Sequence, residues 1–78
     1  MAADKGHKVE VMMHGERWWA AELNGKVTIS RGGETIGKAT FTEGHQFVDM
    51  STTAVPDDVV LRLERELSKR IKEEQYKD

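Results

Sequence analysis

The stretch His14–Ser30, HGERWWAAELNGKVTIS, places two adjacent tryptophans between two turn signals. Neighbouring side chains of an extended strand point to opposite faces, so Trp18 and Trp19 cannot enter the same core. His14-Gly15 and Asn24-Gly25 both suit two-residue hairpin turns, Asn-Gly being the stronger signal because both residues tolerate positive φ. The two turns then set one register. Val11 faces Trp18 and Val9 faces Ala20 across the first; Trp18 faces Arg31, Ala20 faces Ile29 and Glu22 faces Val27 across the second.

Working outward, Gly32-Gly33 predicts a third hairpin with Ile29 opposite Ile36. One face of the sheet thereby collects Val9, Val11, Met13, Trp18, Ala20, Val27, Ile29 and Ile36, so turn chemistry and hydrophobic pattern agree on one register. Strict alternation beyond Ile36 would turn Lys38 and Thr40 inward, whereas a bulge at Gly37-Lys38 returns Ala39 and Phe41 to the core face; the bulge is the better reading. Glu43-Gly44 is a weaker turn signal. A fifth run, His45 to Met50, closes the meander with either Phe47 or Val48 inward.

Pro56, the only proline, divides two regimes. The segment after it has no glycine and is full of strong helix formers. Pro56 suits a first helical turn, Asp57 and Asp58 complement the positive end of the helix dipole, and Thr53 or Ser51 is placed to cap it. Val60, Leu63, Leu67 and Ile71, with Val59 beside them, form an apolar stripe that predicts packing on the Trp18 face. Asp58 with Arg62, and Glu66 with Arg70, are spaced as i,i+4 pairs on the opposite side. The expected fold is α+β: a four- or five-stranded antiparallel β-meander with one C-terminal α-helix on one face.

The 78 residues suffice for one domain, read as a flexible arm over 1–7 and a single domain over 8–78, with strands across about 8–50 and a helix across about 56–76. There is no internal repeat or low-complexity tract. With no cysteine, neither disulfides nor thiolate metal sites staple the fold. Twelve Lys and Arg against 14 Asp and Glu give a formal charge of −2, so no global field draws the chain to nucleic acid or an anionic membrane. The start, MAADKGHK, lacks a signal-type apolar region, and no run approaches the roughly 18–20 apolar residues of a membrane span. The expected compartment is the cytoplasm.

Motifs of catalysis fail on context. GGETIGKAT, Gly32–Thr40, nearly matches the phosphate-cradling pattern, but Ala39 stands where the magnesium-binding hydroxyl belongs and a strand pattern follows Lys38 instead of a helix. His7, His14 and His45 lack metal-ligand spacing, and Asp57-Asp58 has a structural role at a helix start. No nucleophile constellation is present and the chain is small for an enclosed pocket. The expectation is therefore no enzyme activity, no cofactor and no metal.

The face opposite the helix carries Lys8, Glu10, Met12, Trp19, Ala21, Leu23, Thr28, Ser30 and Thr35, with Met12, Trp19, Ala21 and Leu23 as an apolar island. Trp and Met are enriched at interface cores, which points to a protein-binding module acting through this face or an open sheet edge: an adaptor, antitoxin or phage-type inhibitor, or a homodimer. A plainer reading has Trp19 lying flat over its strand neighbours. The alternative function is single-stranded nucleic-acid binding by Lys8, Lys26, Arg31 and Lys38, with Trp19, Phe41 or Phe47 as stacking surfaces. In order of elements alone, meander then helix, the chain resembles the single-strand-binding transcriptional coactivators.

Overall fold

A computed structural model describes residues 6–52 and 54–75, with side chains as far as residue 73. Five strands, β1 (His7–Met13), β2 (Glu16–Leu23), β3 (Lys26–Arg31), β4 (Glu34–Phe41) and β5 (Phe47–Val48), form one antiparallel sheet in the order β1-β2-β3-β4-β5. Helix α1 (Asp57–Gln75) follows. The arm's residues 1–5 lie outside the described residues, and β1 already takes in His7.

The first two hairpins have the expected register: Val11 pairs with Trp18 and Val9 with Ala20, then Trp18 with Arg31, Ala20 with Ile29 and Glu22 with Val27. His14 (φ 56°) with Gly15 (φ 73°), and Asn24 (φ 54°) with Gly25 (φ 82°), supply the two successive positive φ angles of type I′ turns, whose twist matches that of the strands. At the third turn only Gly32 is positive, as in type II′.

The third hairpin departs from expectation by one residue. Ser30 pairs with Thr35 and Ile29 pairs with Gly37, so Ile36 is the extra, bulged residue and does not face Ile29. The bulge still returns Ala39 and Phe41 to the core, where both are buried. Its position follows from what crosses β4: a Cβ on Gly37 would lie 2.3 Å from Thr52 Cγ2, so the only residue without one occupies that site. Ser51 is bonded to the same strand, its N–H donating to the Lys38 carbonyl (2.8 Å) and its Oγ accepting from the Lys38 N–H (2.8 Å).

Ser51 is thus not a helix cap, and position 53 lies outside the described residues. The Pro56 carbonyl accepts from the N–H groups of both Val59 and Val60 (3.0 Å each) and begins the helix. The loop after β4 is not a two-residue turn at Glu43-Gly44. Thr42 and Gln46 flank three residues, with His45 (φ 63°) in the left-handed region and the Thr42 N–H donating to the Gln46 carbonyl (2.9 Å). Phe47 is the buried member of β5 and Val48 the outward one.

The helix packs against β1 and β2 on the Trp18 face. Val59, Leu63 and Leu67 are fully buried, while Val60 and Ile71 lie at the margin, so the stripe is centred one residue from its expected line. Trp18 and Ile29 meet them from the sheet in one core with Val9, Val11, Ala20, Val27, Phe41 and Phe47. Polar ties join the helix to both ends of the curled sheet. His14 Nε2 lies 2.8 Å from Asp58 Oδ2, the Phe47 N–H donates to Glu64 Oε2 (2.7 Å), and His45 Nδ1 lies 2.6 Å from Ser68 Oγ with its ring stacked on Phe41. The helical ion pairs also differ from expectation: Arg62 Nε pairs with Glu66 Oε2 (3.2 Å), because Asp58 is turned to His14. Among the described residues no helix is long and apolar enough to cross a membrane.

Candidate binding face

The outer face of the sheet, carrying Trp19, is a grid that can be read from the strand pairing. One row runs Glu10–Trp19–Ser30–Thr35, the next Lys8–Ala21–Thr28–Lys38, and the last Leu23–Lys26–Thr40–Val48; Met12 and Arg17 pair at the opposite end. Of the four large hydrophobic side chains exposed among the described residues, three stand here: Met12 (64%), Leu23 (47%) and Val48 (36%). The fourth, Leu61, is on the helix. Trp19 is half-buried, with Lys8 Nζ 4.4 Å from its ring centroid. One face of the Trp19 ring is thus covered by the Lys8 side chain.

The apolar side chains form a stripe along the β1–β2 pair and not an island, since Met12 on β1 stands opposite Arg17 near the start of β2 while Leu23 ends β2, a separation of roughly 20 Å at the usual rise per residue. Towards the Leu23 end the twisted sheet leaves a groove of about 980 Å³ lined by Lys8, Ala21, Leu23, Lys26, Thr28, Lys38, Thr40, Asp49 and Ser51 among others. Lys26 and Lys38 make no ion pair among the described residues, whereas Arg17 pairs with Glu10. The face therefore combines exposed apolar carbon with an excess of positive charge, on a chain whose net charge is −2.

Of the cations expected to act together, Lys8, Lys26 and Lys38 share this groove and Arg31 does not. Arg31 pairs with Trp18 in the register, which turns it to the other face; its guanidinium lies 5.8 Å from the Trp18 ring centroid and its Nε 3.2 Å from Glu16 Oε1. Phe41 and Phe47, the other stacking candidates, are both in the core, edge to face at 5.5 Å. Arg17 and Val48 were not singled out from the sequence. Arg17 was readable, because the His14-Gly15 register puts it opposite Met12; Val48 depended on the bulge in β4.

The three histidines serve three separate places. His7 Nδ1 meets Glu22 Oε1 at 2.8 Å, and the second oxygen of Glu22 accepts from the Gly25 N–H (2.8 Å), tying the second turn to β1. His14 and His45 are engaged with the helix as above. Gly32–Thr40 is a hairpin turn and a strand, and no helix begins at Lys38. Comparison with family models, curated proteins and solved structures finds no match to this chain.

Proposed function

We propose that this chain is a non-enzymatic, cytoplasmic protein-binding module that docks a partner on its Trp19 face, in the manner of an adaptor, antitoxin or phage-type inhibitor. The observation that carries this reading is the gathering of Met12, Leu23 and Val48, exposed, on the sheet face that the helix leaves uncovered. Exposed apolar side chains scattered singly need no explanation; that three of the four described stand on one face, with Trp19 between Met12 and Leu23, supports reading that face as a contact surface. Trp19 at the centre is a ready anchor, of the residue type that most often dominates binding energy. Lys8, Lys26 and Lys38 around the groove favour a partner surface that mixes apolar groups with carboxylates, since complementary charge steers encounter and sets register.

The three clustered lysines also favour a second reading, single-stranded nucleic-acid binding. Among the described residues that reading has one aromatic on this face to stack on, half-buried and already beneath Lys8.

Capture from an extract of the source cell, with the unmodified chain and with a folded Met12→Ser/Leu23→Ser variant, tests the proposal. A protein retained by the first at moderate salt and lost by the second is the expected result. Equal retention by both would overturn the use of this face. Oligo-dT binding that weakens by orders of magnitude over the same salt range, and on removal of Lys26 or Lys38, would establish the second reading instead, because released counterions make phosphate contacts strongly salt-dependent.

A further inference from the structure

The two edges of the sheet are treated differently. At one edge β5 covers the end of β4, and Ser51 is bonded to both the N–H and the carbonyl of Lys38, so the outer side of β4 is largely occupied. At the other edge β1 presents seven residues, HKVEVMM, with no proline and no bulge. The two-residue turn at His14-Gly15 makes Met13–Glu16 a hydrogen-bonded pair, and such pairs alternate along an antiparallel ladder. Val11–Trp18, Val9–Ala20 and His7–Glu22 are therefore also bonded pairs, and the N–H and carbonyl groups of Lys8, Glu10 and Met12 point away from the sheet. Among the described residues nothing bonds to these outward groups. Open edges of this length are templates for another strand.

From this edge we infer that the chain forms a two-fold homodimer by pairing β1 antiparallel with β1 of a second copy, in a register centred on Val9. Three conditions select that register. The outward-facing residues Lys8, Glu10 and Met12 must meet one another's kind, like charges must not stand opposite each other, and Lys8 and Glu10 must each meet an opposite charge on β1 of the second copy. Centring on Lys8 or Glu10 sets each against itself. Centring on Val11 places Glu10 opposite Met12 and leaves Lys8 without a charged partner. Centring on Val9 places Lys8 opposite Glu10 of the second copy and Glu10 opposite its Lys8, both as hydrogen-bonded pairs, with Val9 against Val9 on the helix side. The surface is thereby self-complementary, as a two-fold interface requires, and the Trp19 faces of the two copies join into one ten-stranded surface. The homodimer does not depend on the partner proposed for the Trp19 face.

Sedimentation equilibrium of the full chain across a range from about 1 to 300 μM, with folding checked by circular dichroism, tests the inference. The unmodified chain sediments as a dimer at the upper concentrations. Lys8→Glu and Glu10→Lys each set two like-charge pairs across the seam and weaken the dimer by about tenfold or more, while the combined Lys8→Glu/Glu10→Lys variant restores it. Arg17→Ala, which removes the partner of Glu10 within the chain and leaves the seam intact, stays dimeric. A monomer throughout the range for the unmodified chain, or single variants that associate as well as it does, or a folded double variant that remains as weak as the singles, would each overturn the β1 pairing.

Discussion

Removing the indole of Trp18 should come close to unfolding the protein, and removing that of its neighbour should not. Trp18 is 2% exposed, lies between Val11 and Arg31 in the sheet, and donates its Nε1–H to the Met13 carbonyl at 3.1 Å. A buried tryptophan hides about 200 Å² of surface, which at about 25 cal/mol per Å² corresponds to at most about 5 kcal/mol. The area that alanine still buries lowers this figure, while the cavity and the lost indole hydrogen bond raise it, so Trp18→Ala should cost about 3–5 kcal/mol. A domain of this length has about 4–12 kcal/mol in all. The corresponding fall in Tm is roughly 12–40 °C. Trp19 is half-buried, and its Ala variant loses part of that area and a contact with Lys8 of about 0.5–1 kcal/mol, so it should cost about 1–2 kcal/mol. Urea and thermal denaturation followed by far-ultraviolet circular dichroism measure both. Each variant also leaves one tryptophan as a reporter: in folded Trp19→Ala the emission is blue-shifted, and in folded Trp18→Phe it is red-shifted. Comparable losses in the two Ala variants, or the opposite order of emission, would refute the register from which the core and the binding face are both derived.

Gly37→Ala should destabilise by about 1–3 kcal/mol, since its Cβ would fall 2.3 Å from Thr52 Cγ2 and 2.9 Å from Thr52 Cβ; adding Thr52→Ala should recover part of the loss in a thermal melt. Glu64→Ala leaves the Phe47 N–H without its acceptor and should cost about 1–3 kcal/mol, with faster hydrogen exchange at Phe47 than at the β2 amides as the local check. Association through the Trp19 face should persist from low to moderate salt, losing far less than the orders of magnitude expected of phosphate contacts, and weaken on Trp19→Ala without loss of folding, read by titration with the captured partner.

The arrangement of β1 to β3 was legible because two-residue turns and a period of two leave few choices. Once His14-Gly15 and Asn24-Gly25 are turns, every residue from His7 to Arg31 has a face and a partner, Trp18 is inside and Trp19 outside. The helix was equally legible, as one apolar stripe that follows a proline boundary and an acidic first turn. The outward placement of Met12, Trp19, Ala21 and Leu23 followed from the same parity, which also makes Arg17 readable opposite Met12, whereas Val48 depended on the bulge in β4.

What the sequence left open lies where contacts distant along the chain compete with local pattern. The bulge falls at Ile36 because Thr52, fifteen residues beyond Gly37, needs the space that a side chain at Gly37 would fill. Phe47 and not Val48 turns inward because the extra residue in β4 and the three-residue loop ending at His45 together set the phase of β5. Asp58 leaves Arg62 for a histidine forty-four residues away, and Arg62 takes Glu66 instead. Turn chemistry and periodicity act within a few residues and are written in the sequence. The phase of a strand after a bulge, the choice among ion pairs and the difference between a covered and an open edge depend on which remote segment arrives there, and only the folded chain decides that.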